Sequence, residues 1–319
     1  MNNIFVTGGS GFIGSNIVKK LLSEGHKVKV YDDFSRGKKR KLKITEKKLK
    51  VVNGDVRDEN KIIRESKGFD YIIHLAAING TKFFYEKPQE VLDVSIKGMI
   101  AVLNACKKNN ISKLIFSSSS EVYQSPKKIP TPEDVPLIIP DVYNSRYSYG
   151  AGKIISEVMI LNYYKDFFKK IIIFRHHNVY GPDMGWEHVI PELILKVNNV
   201  NTKKKTLKIK GDGKQTRSFI FIDDFVEGLY RVVFKGKHRN IYHIGNNDEI
   251  KIVELAEKIL KLQKKKGRLI YSPNPSGETL RRCPDIGKLK RLGYKQKYSM
   301  EKGLKITIDW YLNNITLRK

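Results

Sequence analysis

The chain has 319 residues and a formal net charge of +28. This length allows a sizeable core in one large or two modest domains. No apolar run approaches the roughly 20 residues of a membrane-spanning helix. The first predicted strand starts almost at the terminus, so no signal peptide is expected. Only two cysteines occur, which predicts a cytoplasmic protein without a disulfide framework.

The basic residues are scattered along the chain. Runs such as 38–41, 107–108 and 264–266 fall in predicted loops or at helix ends, where solvated lysine is ordinary. A nucleic-acid-binding protein would gather its Lys and Arg on one element. Nucleic acid is therefore not the expected partner, although a positive field would attract an anionic nucleotide substrate.

The first chemical signal is the glycine-rich stretch 7–14, which follows the apolar run 4–6 and opens a helical pattern. Glycines permit a tight turn and close approach to a diphosphate, and the amides at the helix start hold its phosphates. Asp32 ends the next apolar run, 18 residues after Gly14, where an acidic side chain would accept hydrogen bonds from an adenosine ribose. A carboxylate there repels a 2′-phosphate, so the sequence predicts NAD rather than NADP.

Short apolar strands alternate with amphipathic helices over residues 1–175. Strands are predicted at Ile4–Thr7, Lys27–Tyr31, Lys50–Asn53, Tyr71–Leu75, Lys113–Ser117 and Ile171–Arg175, with helices such as Gly14–Glu24 and Val91–Asn109 between them. Continuous apolar strands separated by helices indicate a parallel sheet covered on both faces. The predicted fold class is therefore α/β, with a doubly wound, parallel-sheet (Rossmann) NAD domain at 1–175.

Beyond residue 175 the pattern is less regular. Strand-like segments at Thr206–Lys210 and Ser218–Phe221 alternate with helices near Glu187–Asn198, Asp223–Phe234 and Ile252–Leu262. We predict that residues 176–319 form mainly a smaller α/β substrate-binding lobe, and that 217–247 can pack back onto the first domain. The Pro- and Lys-rich segment 124–142 is expected to be an ordered loop near the site.

Tyr149 and Lys153 are four residues apart in a helical pattern and therefore share one helix face. A lysine ammonium beside a phenol favours the phenolate, which can take a proton from a sugar hydroxyl as hydride leaves the same carbon. Gly150 and Gly152 each cost about 1 kcal/mol against alanine in a helix. Their presence indicates that something approaches the backbone closely there.

A second polar group follows the strand at 113–117. The run Ser117-Ser118-Ser119-Ser120 ends this strand, and Glu121 comes next. Ligands bind at the carboxyl ends of strands in open parallel sheets. The hydroxyls can hydrogen-bond a substrate hydroxyl, and Glu121 is a candidate acid or base.

Together these residues resemble the extended short-chain dehydrogenase/reductases, specifically the nucleotide-sugar epimerases and dehydratases. The resemblance covers nearly the whole chain. It includes Gly54-Asp55-Val56-Arg57-Asp58, His74-Leu75-Ala76-Ala77, Arg175 with Asn178-Val179-Tyr180-Gly181-Pro182, Arg217-Ser218-Phe219-Ile220-Phe221, and Pro284-Asp285-Ile286-Gly287-Lys288. Ser95, Gln124 and an unusual loop at Asn79–Tyr85 depart from the family pattern.

The resemblance implies an NAD-dependent enzyme, a nucleoside-diphosphate sugar as substrate and a homodimer. No spacing of carboxylates and histidines suggests a metal site. Tyr149 would be the base for oxidation at C4 of a hexose, Ser119 would polarise that oxygen, and Lys153 would also hold the nicotinamide ribose. The implied cofactor-binding residues are Gly8, Gly11, Phe12, Ile13, Gly14, Asp32, Asp33, Asp55, Val56, Leu75, Ala76, Ala77 and Lys153. The implied substrate-binding residues are Ser119, Ser120, Asn178, Arg217 and Arg282.

Glu121 leaves three reactions open. A hydroxyl-Ser-Glu sequence resembles GDP-mannose 4,6-dehydratase, whose glutamate removes the C5 proton, and also UDP-glucuronate decarboxylase, whose 4-keto acid loses carbon dioxide. Arg282, two residues before the closing proline, matches the decarboxylase. Simple C4 epimerases usually lack the acidic residue. On the sequence we favour 4,6-dehydration, with decarboxylation or C4 epimerisation as alternatives and a non-catalytic NAD-binding or nucleic-acid-binding protein as a distant one.

Overall fold

The computed structural model describes residues 1–200, 206–273 and 279–318. Its centre is a parallel sheet of seven strands. These are β1 (Asn3–Thr7), β2 (Lys27–Asp32), β3 (Leu49–Asn53), β4 (Tyr71–His74), β5 (Lys113–Ser119), β6 (Lys170–His176) and β11 (Asn240–Ile244). Their order across the sheet is β11-β6-β5-β4-β1-β2-β3, and every neighbouring pair is parallel.

Helices cover both faces of this sheet, and others in the second half of the chain pack mainly on one another. In the described chain the helices are α1 (Phe12–Ser23), α2 (Glu59–Glu65), α3 (Thr81–Glu86), α4 (Pro88–Lys108), α5 (Ser148–Asn162), α6 (Val189–Asn198), α7 (Ile222–Lys235), α8 (Ile252–Leu262), α9 (Gly287–Arg291) and α10 (Met300–Asn313). Alternate residues of β1 point to opposite faces. Ile4 and Val6 join the core that contains α1 and α7, whereas Phe5 joins the core that contains α2 and α4. This two-sided burial explains why the strands read as continuous apolar runs.

Three smaller sheets occur in the second half of the described chain. They pair β7 (Val179–Tyr180) with β10 (Ile220–Phe221), β8 (Thr206–Lys210) with β13 (Arg268–Ser272), and β9 (Thr216–Ser218) with both β12 (Glu249–Lys251) and β14 (Arg281–Arg282). In the β9–β14 pair, Arg217 is directly opposite Arg282. These two arginines, 65 residues apart by number (282 − 217), are therefore neighbours.

The predicted α/β doubly wound fold is confirmed. The strand expected at Ser218–Phe221 is divided between β9 and β10, which pair with different strands. The loop expected at Asn79–Tyr85 instead contains most of α3, where Phe84 is buried against Tyr149. Strand β11, within the segment 217–247, adds the seventh strand beside β6.

Candidate active site

The glycine-rich turn packs tightly against the end of β4. Gly8 has φ of +70°, and a Cβ there would lie 2.7 Å from the backbone nitrogen of Ala76. A Cβ at Gly14 would collide with the carbonyl oxygen of Gly8. Beneath the turn, the Thr7 hydroxyl is hydrogen-bonded to His74 Nδ1 at 2.7 Å. Both glycines are therefore required by the approach of neighbouring backbone.

The start of α1 is open to an anion. No side chain caps its first amides, and its first turn has no acidic residue. Unpaired amides at a helix start, with the helix dipole, favour a phosphate group. Gly11, Phe12 and Ile13 face a cavity of about 540 Å³. The turn therefore has the chemistry that the diphosphate of NAD requires.

The same cavity collects every predicted cofactor-binding residue. Its lining includes Gly8, Gly11, Phe12, Ile13, Gly14, Asp32, Asp33, Asp55, Val56, Leu75, Ala76, Ala77 and Lys153. Asp32 is buried, and its carboxylate accepts backbone hydrogen bonds from Ser10 and Phe34, each at 2.9 Å. The Asp32 carboxylate is thereby held at the cavity wall. A carboxylate in this position can accept hydrogen bonds from a ribose and repels a 2′-phosphate.

Tyr149, Ser119 and Lys153 lie together at the carboxyl end of β5. Tyr149 is in the first turn of α5, its ring is stacked on Phe84 with centroids 5.0 Å apart, and its phenol is hydrogen-bonded to Ser119. Lys153 Nζ donates to the Ser117 carbonyl at 2.7 Å and lies 5.6 Å from the centre of the Tyr149 ring. The structure thus brings the predicted catalytic set into one place, while the roles of its members remain predictions.

Burial controls the ionisation of this set. It raises the pKa of the Tyr149 phenol, against the opposing effect of the hydrogen bond to Ser119. Burial also lowers the pKa of Lys153 to about 7, opposed by the negative charge of Glu157. Desolvation is therefore the largest influence on the pKa of this phenol.

Gly150 and Gly152 are explained by close packing against α5. A Cβ at Gly150 would lie 3.0 Å from the carbonyl oxygen of Glu121, and one at Gly152 would lie 2.8 Å from the Cβ of Ser95 on α4. The serine that departs from the family pattern is thus a packing partner of α5. The first contact brings the Glu121 backbone against the helix that carries Tyr149.

Glu121 lies in a group of arginines. Arg282 Nη1 donates to its carboxylate at 2.6 Å, and Arg146 Nη2 lies 4.0 Å from the other oxygen. Burial by itself would raise the pKa of Glu121, but the positive charges of Arg282, Arg146 and Arg217 outweigh it and hold the pKa below its usual value. Glu121 is therefore an ionised, paired carboxylate.

One hydrogen-bond donor of Arg282 has no partner among the described residues. Its Nη2 donates to the Thr279 hydroxyl at 3.1 Å, but its Nε is buried without a hydrogen-bond partner among the described residues. A buried donor left unpaired is costly. It therefore indicates a place for an acceptor from a ligand.

The other predicted substrate residues are less clearly placed for binding. Ser120 is buried beside Ser119. Asn178 has φ of +28°, and its side-chain amide donates to the Ser218 carbonyl at 2.9 Å. Asn178 thus joins the end of β6 to the β9–β10 segment, and contact with substrate remains a prediction for it.

Sequence reasoning missed several residues of this region. His176 is the cross-strand partner of Ser119, lines the cavity, and has its pKa lowered to about 3 by burial, so it is neutral. Glu157, one turn beyond Lys153, binds Arg175 through both carboxylate oxygens at 2.9 and 2.6 Å and ties α5 to β6. Arg146 lies three residues before Tyr149, and this spacing could have identified it as a candidate site residue.

Other site types find little support in the described ranges. Within residues 1–200, 206–273 and 279–318, no group of three His, Cys, Asp or Glu could hold a metal ion. In the same ranges, each helix is too short or too polar to cross a membrane. Cys106 and Cys283 are buried and unpaired.

Comparison with known proteins agrees with this geometry. A family model described as the NAD dependent epimerase/dehydratase family matches residues 4–245. The UDP-N-acetyl-alpha-D-glucosaminuronate decarboxylase of Bacillus cytotoxicus is 32% identical over 316 residues, covering 96% of each chain. Among solved structures, a dTDP-glucose 4,6-dehydratase from Streptomyces venezuelae with NAD and TYD bound has a TM-score of 0.90 at 28% identity, covering 99% of this chain and 98% of that one. The UDP-glucose 4-epimerase of Thermotoga maritima with UDP-glucose has a TM-score of 0.88 at 27% identity, covering 98% of this chain and 99% of that one.

Proposed function

This chain belongs to the NAD-dependent epimerase/dehydratase family, and we propose that it oxidises a nucleoside-diphosphate uronic acid at C4 and then releases its carboxyl group as carbon dioxide. The observation that carries the proposal is the Nε of Arg282, which is buried beside the ionised Glu121 and has no hydrogen-bond partner within residues 1–200, 206–273 and 279–318. A substrate carboxylate is the acceptor that this donor fits best, because charge-assisted hydrogen bonds to guanidinium are strong. The similarity to a uronate decarboxylase supports the same choice.

Charge in this part of the site also favours an anionic substrate. Three guanidinium groups, those of Arg146, Arg217 and Arg282, act on the carboxylate of Glu121 and lower its pKa. A group of guanidinium side chains attracts a uronic acid more strongly than a neutral hexose.

The proposed reaction requires few protein groups beyond those that act in the oxidation at C4. The ionised form of the Tyr149 phenol takes the proton of the C4 hydroxyl, and the Ser119 hydroxyl holds the same oxygen. NAD, when bound in the cavity, would accept the hydride from C4 and would supply it again for the final reduction of the sugar. The resulting ketone is β to the C6 carboxylate, so the C5–C6 bond breaks, carbon dioxide leaves, and its electron pair forms an enolate at C4 that Tyr149 and Ser119 stabilise. A proton from solvent then adds at C5, and return of the hydride to C4 would complete the conversion to a sugar with one carbon fewer.

Glu121 suits this reaction better than it suits dehydration. A dehydratase needs a base at C5 and a proton donor for the leaving C6 hydroxyl. The arginines lower the pKa of Glu121, so it is a weak base and does not donate a proton. Decarboxylation requires neither transfer from Glu121.

Dehydration is the second candidate. The observation in its favour is the position of Glu121, two residues beyond Ser119 and in contact with the backbone of the helix that carries Tyr149. Since a 4,6-dehydratase is also a close structural neighbour, the fold accommodates that chemistry. We rank it below decarboxylation because of the pairing of Glu121 with Arg282.

A substrate panel distinguishes these reactions. The protein would be incubated with UDP-glucuronate and UDP-N-acetylglucosaminuronate, and separately with UDP-glucose, GDP-mannose and dTDP-glucose. NMR would identify the products. We expect one uronate to give a nucleotide pentose and an equal amount of carbon dioxide, while the hexoses are unchanged. Conversion of a hexose to a 4-keto-6-deoxy sugar, with both uronates inert, would refute the proposal.

The proposal includes a homodimer. The outer face of α5 exposes Ile155 and Val158, at 39% and 55% of their surface, beside α4. Two apolar side chains one turn apart on a helix suit packing against the same face of a second copy. We expect Val158→Asp to halve the mass measured by light scattering, whereas an unchanged mass would place the interface elsewhere.

A further inference from the structure

The connection between β2 and β3 runs along the cofactor cavity. We call residues 34–41 the strap. The strap begins beside Asp32, which accepts a hydrogen bond from Phe34, and then crosses the glycine-rich turn. There, the Lys38 amide donates to the Ser10 carbonyl at 3.1 Å, and a Cβ at Gly37 would collide with the Ser10 hydroxyl. The strap is therefore packed directly on the turn that we expect to hold the NAD diphosphate.

The far end of the strap is fastened to a distant segment. Arg40 binds Asp183 through two parallel hydrogen bonds of 2.7 and 2.8 Å, and Lys41 Nζ donates to the Asp183 carbonyl at 2.7 Å. Asp183 begins the segment 183–188, which lines the same cavity ahead of α6. The pair thus connects two parts of the cavity wall that are 143 residues apart in the chain.

The strap also brings positive charge to the cavity. Arg36, Lys38, Arg40 and Lys41 all line it. The diphosphate of NAD is an anion, and the open amides of α1 supply only one wall for it. Cations on the strap can supply a second wall, so a bound diphosphate would lie between the two.

We propose that the strap retains NAD in the protein and that the Arg40–Asp183 pair sets the rate at which NAD leaves. The inference depends on NAD binding and not on which sugar is converted. An enzyme that regenerates its NAD in every cycle has no need to release it. An ion pair that slows the release of NAD therefore suits any member of this family that returns the hydride to its product.

The Asp183→Asn variant distinguishes this proposal from a simple charge effect, because the two predict opposite changes in the rate of NAD release. Removing a negative charge from the cavity wall would by itself hold the anionic diphosphate more tightly and slow its release. Loss of the Arg40–Asp183 pair would instead speed release, about two- to fivefold for a paired charge of this exposure. Asparagine also tolerates the backbone of Asp183, whose φ is +61°.

The experiment measures release of labelled NAD from the full-length protein after dilution into excess unlabelled NAD. We expect faster release from Asp183→Asn and from Arg40→Gln, and a double variant whose increase is smaller than the product of the two, because both substitutions break the same Arg40–Asp183 pair. High salt should speed release from the unsubstituted protein more than from either variant. Glu301→Gln, which breaks the exposed Lys305–Glu301 pair on α10, is the control and should release NAD at the original rate.

Three results would overturn the inference. They are release from Asp183→Asn that is unchanged or slower, effects of the two substitutions that multiply in the double variant, and an equal acceleration by Glu301→Gln. Melting temperatures of all variants, measured with and without NAD, would show whether each is folded. Because Arg40 is exposed, we expect its replacement to leave the fold intact, so release remains measurable.

Discussion

The guanidinium of Arg282 lies 2.6 Å from the carboxylate of Glu121, although 161 residues separate them in the chain. The contact joins β14 of the second half of the protein to the end of β5, where Tyr149 and Ser119 meet. It keeps Glu121 ionised and holds the Arg282 guanidinium beside that carboxylate. Under the proposed function, we expect the Arg282–Glu121 pair to affect which reaction follows oxidation at C4.

Replacement of Arg282 tests whether it binds a substrate carboxylate. We expect Arg282→Gln to lower kcat/KM for the uronate about 100-fold, as loss of one partner of a buried charge pair does, mostly through a higher KM. Arg281→Gln is the matched control, because the neighbouring guanidinium is exposed and pairs with Glu249. Steady-state kinetics of both variants would check this, and equal effects would remove Arg282 from substrate recognition.

Tyr149→Phe tests the proposed proton acceptor. The phenol is lost but the ring remains stacked on Phe84, so we expect an unchanged melting temperature and about a 10³-fold slower C4 oxidation. Tyr147→Phe, two residues earlier and also buried, serves as control. Formation of NADH in a single turnover measures the oxidation step. Near-normal oxidation by Tyr149→Phe would exclude the phenol from the mechanism.

Much of the candidate cofactor cavity could be predicted because its parts are local in sequence. Gly8, Gly14 and Asp32 act through backbone turns and strand ends, which short motifs specify. All the predicted cofactor residues accordingly line one cavity. The strand and helix pattern likewise predicted the α/β fold.

The remaining features depend on contacts between distant parts of the chain. The basic run at 38–41 resembles a solvated loop, yet Arg40 and Lys41 bind Asp183 far along the sequence. The loop expected before α4 is helical, since Phe84 packs on the Tyr149 ring. Sequence spacing gives the distance from that phenol to a lysine, but it does not give the extent of burial, which raises the phenol pKa.

Lys153 predicts a specific pH dependence of stability. Burial lowers its pKa to about 7, below the ordinary value near 10.4. Between these two pH values, Lys153 holds a proton in the unfolded chain but not in the folded protein. The contribution of Lys153 to the free energy of unfolding therefore increases as pH rises. The contribution is constant below pH about 7, where both states are protonated.

We therefore expect the protein without NAD to gain stability from pH about 7 to 10, relative to Lys153→Met, which removes the titrating group. The difference between the two melting temperatures isolates Lys153 from other groups that titrate in this range. Denaturant midpoints at each pH would give the same comparison. A constant difference across the range would contradict the lowered pKa.

Glu121→Gln separates the reactions of the family. In a decarboxylase, the substitution leaves the arginines unbalanced, so they stabilise the substrate carboxylate more strongly than the neutral carbon dioxide that leaves. We then expect a lower KM and a kcat reduced about tenfold, since one charged contact is worth on the order of 1.4 kcal/mol here, with release of carbon dioxide retained.

In a dehydratase, the variant would oxidise a hexose and stall, with NADH accumulating and no solvent deuterium entering C5. In an epimerase it would keep its rate and give a C4-inverted sugar with the C6 hydroxyl intact. Stalling on a hexose, or unchanged epimerisation, would therefore reject decarboxylation and identify the reaction that replaces it.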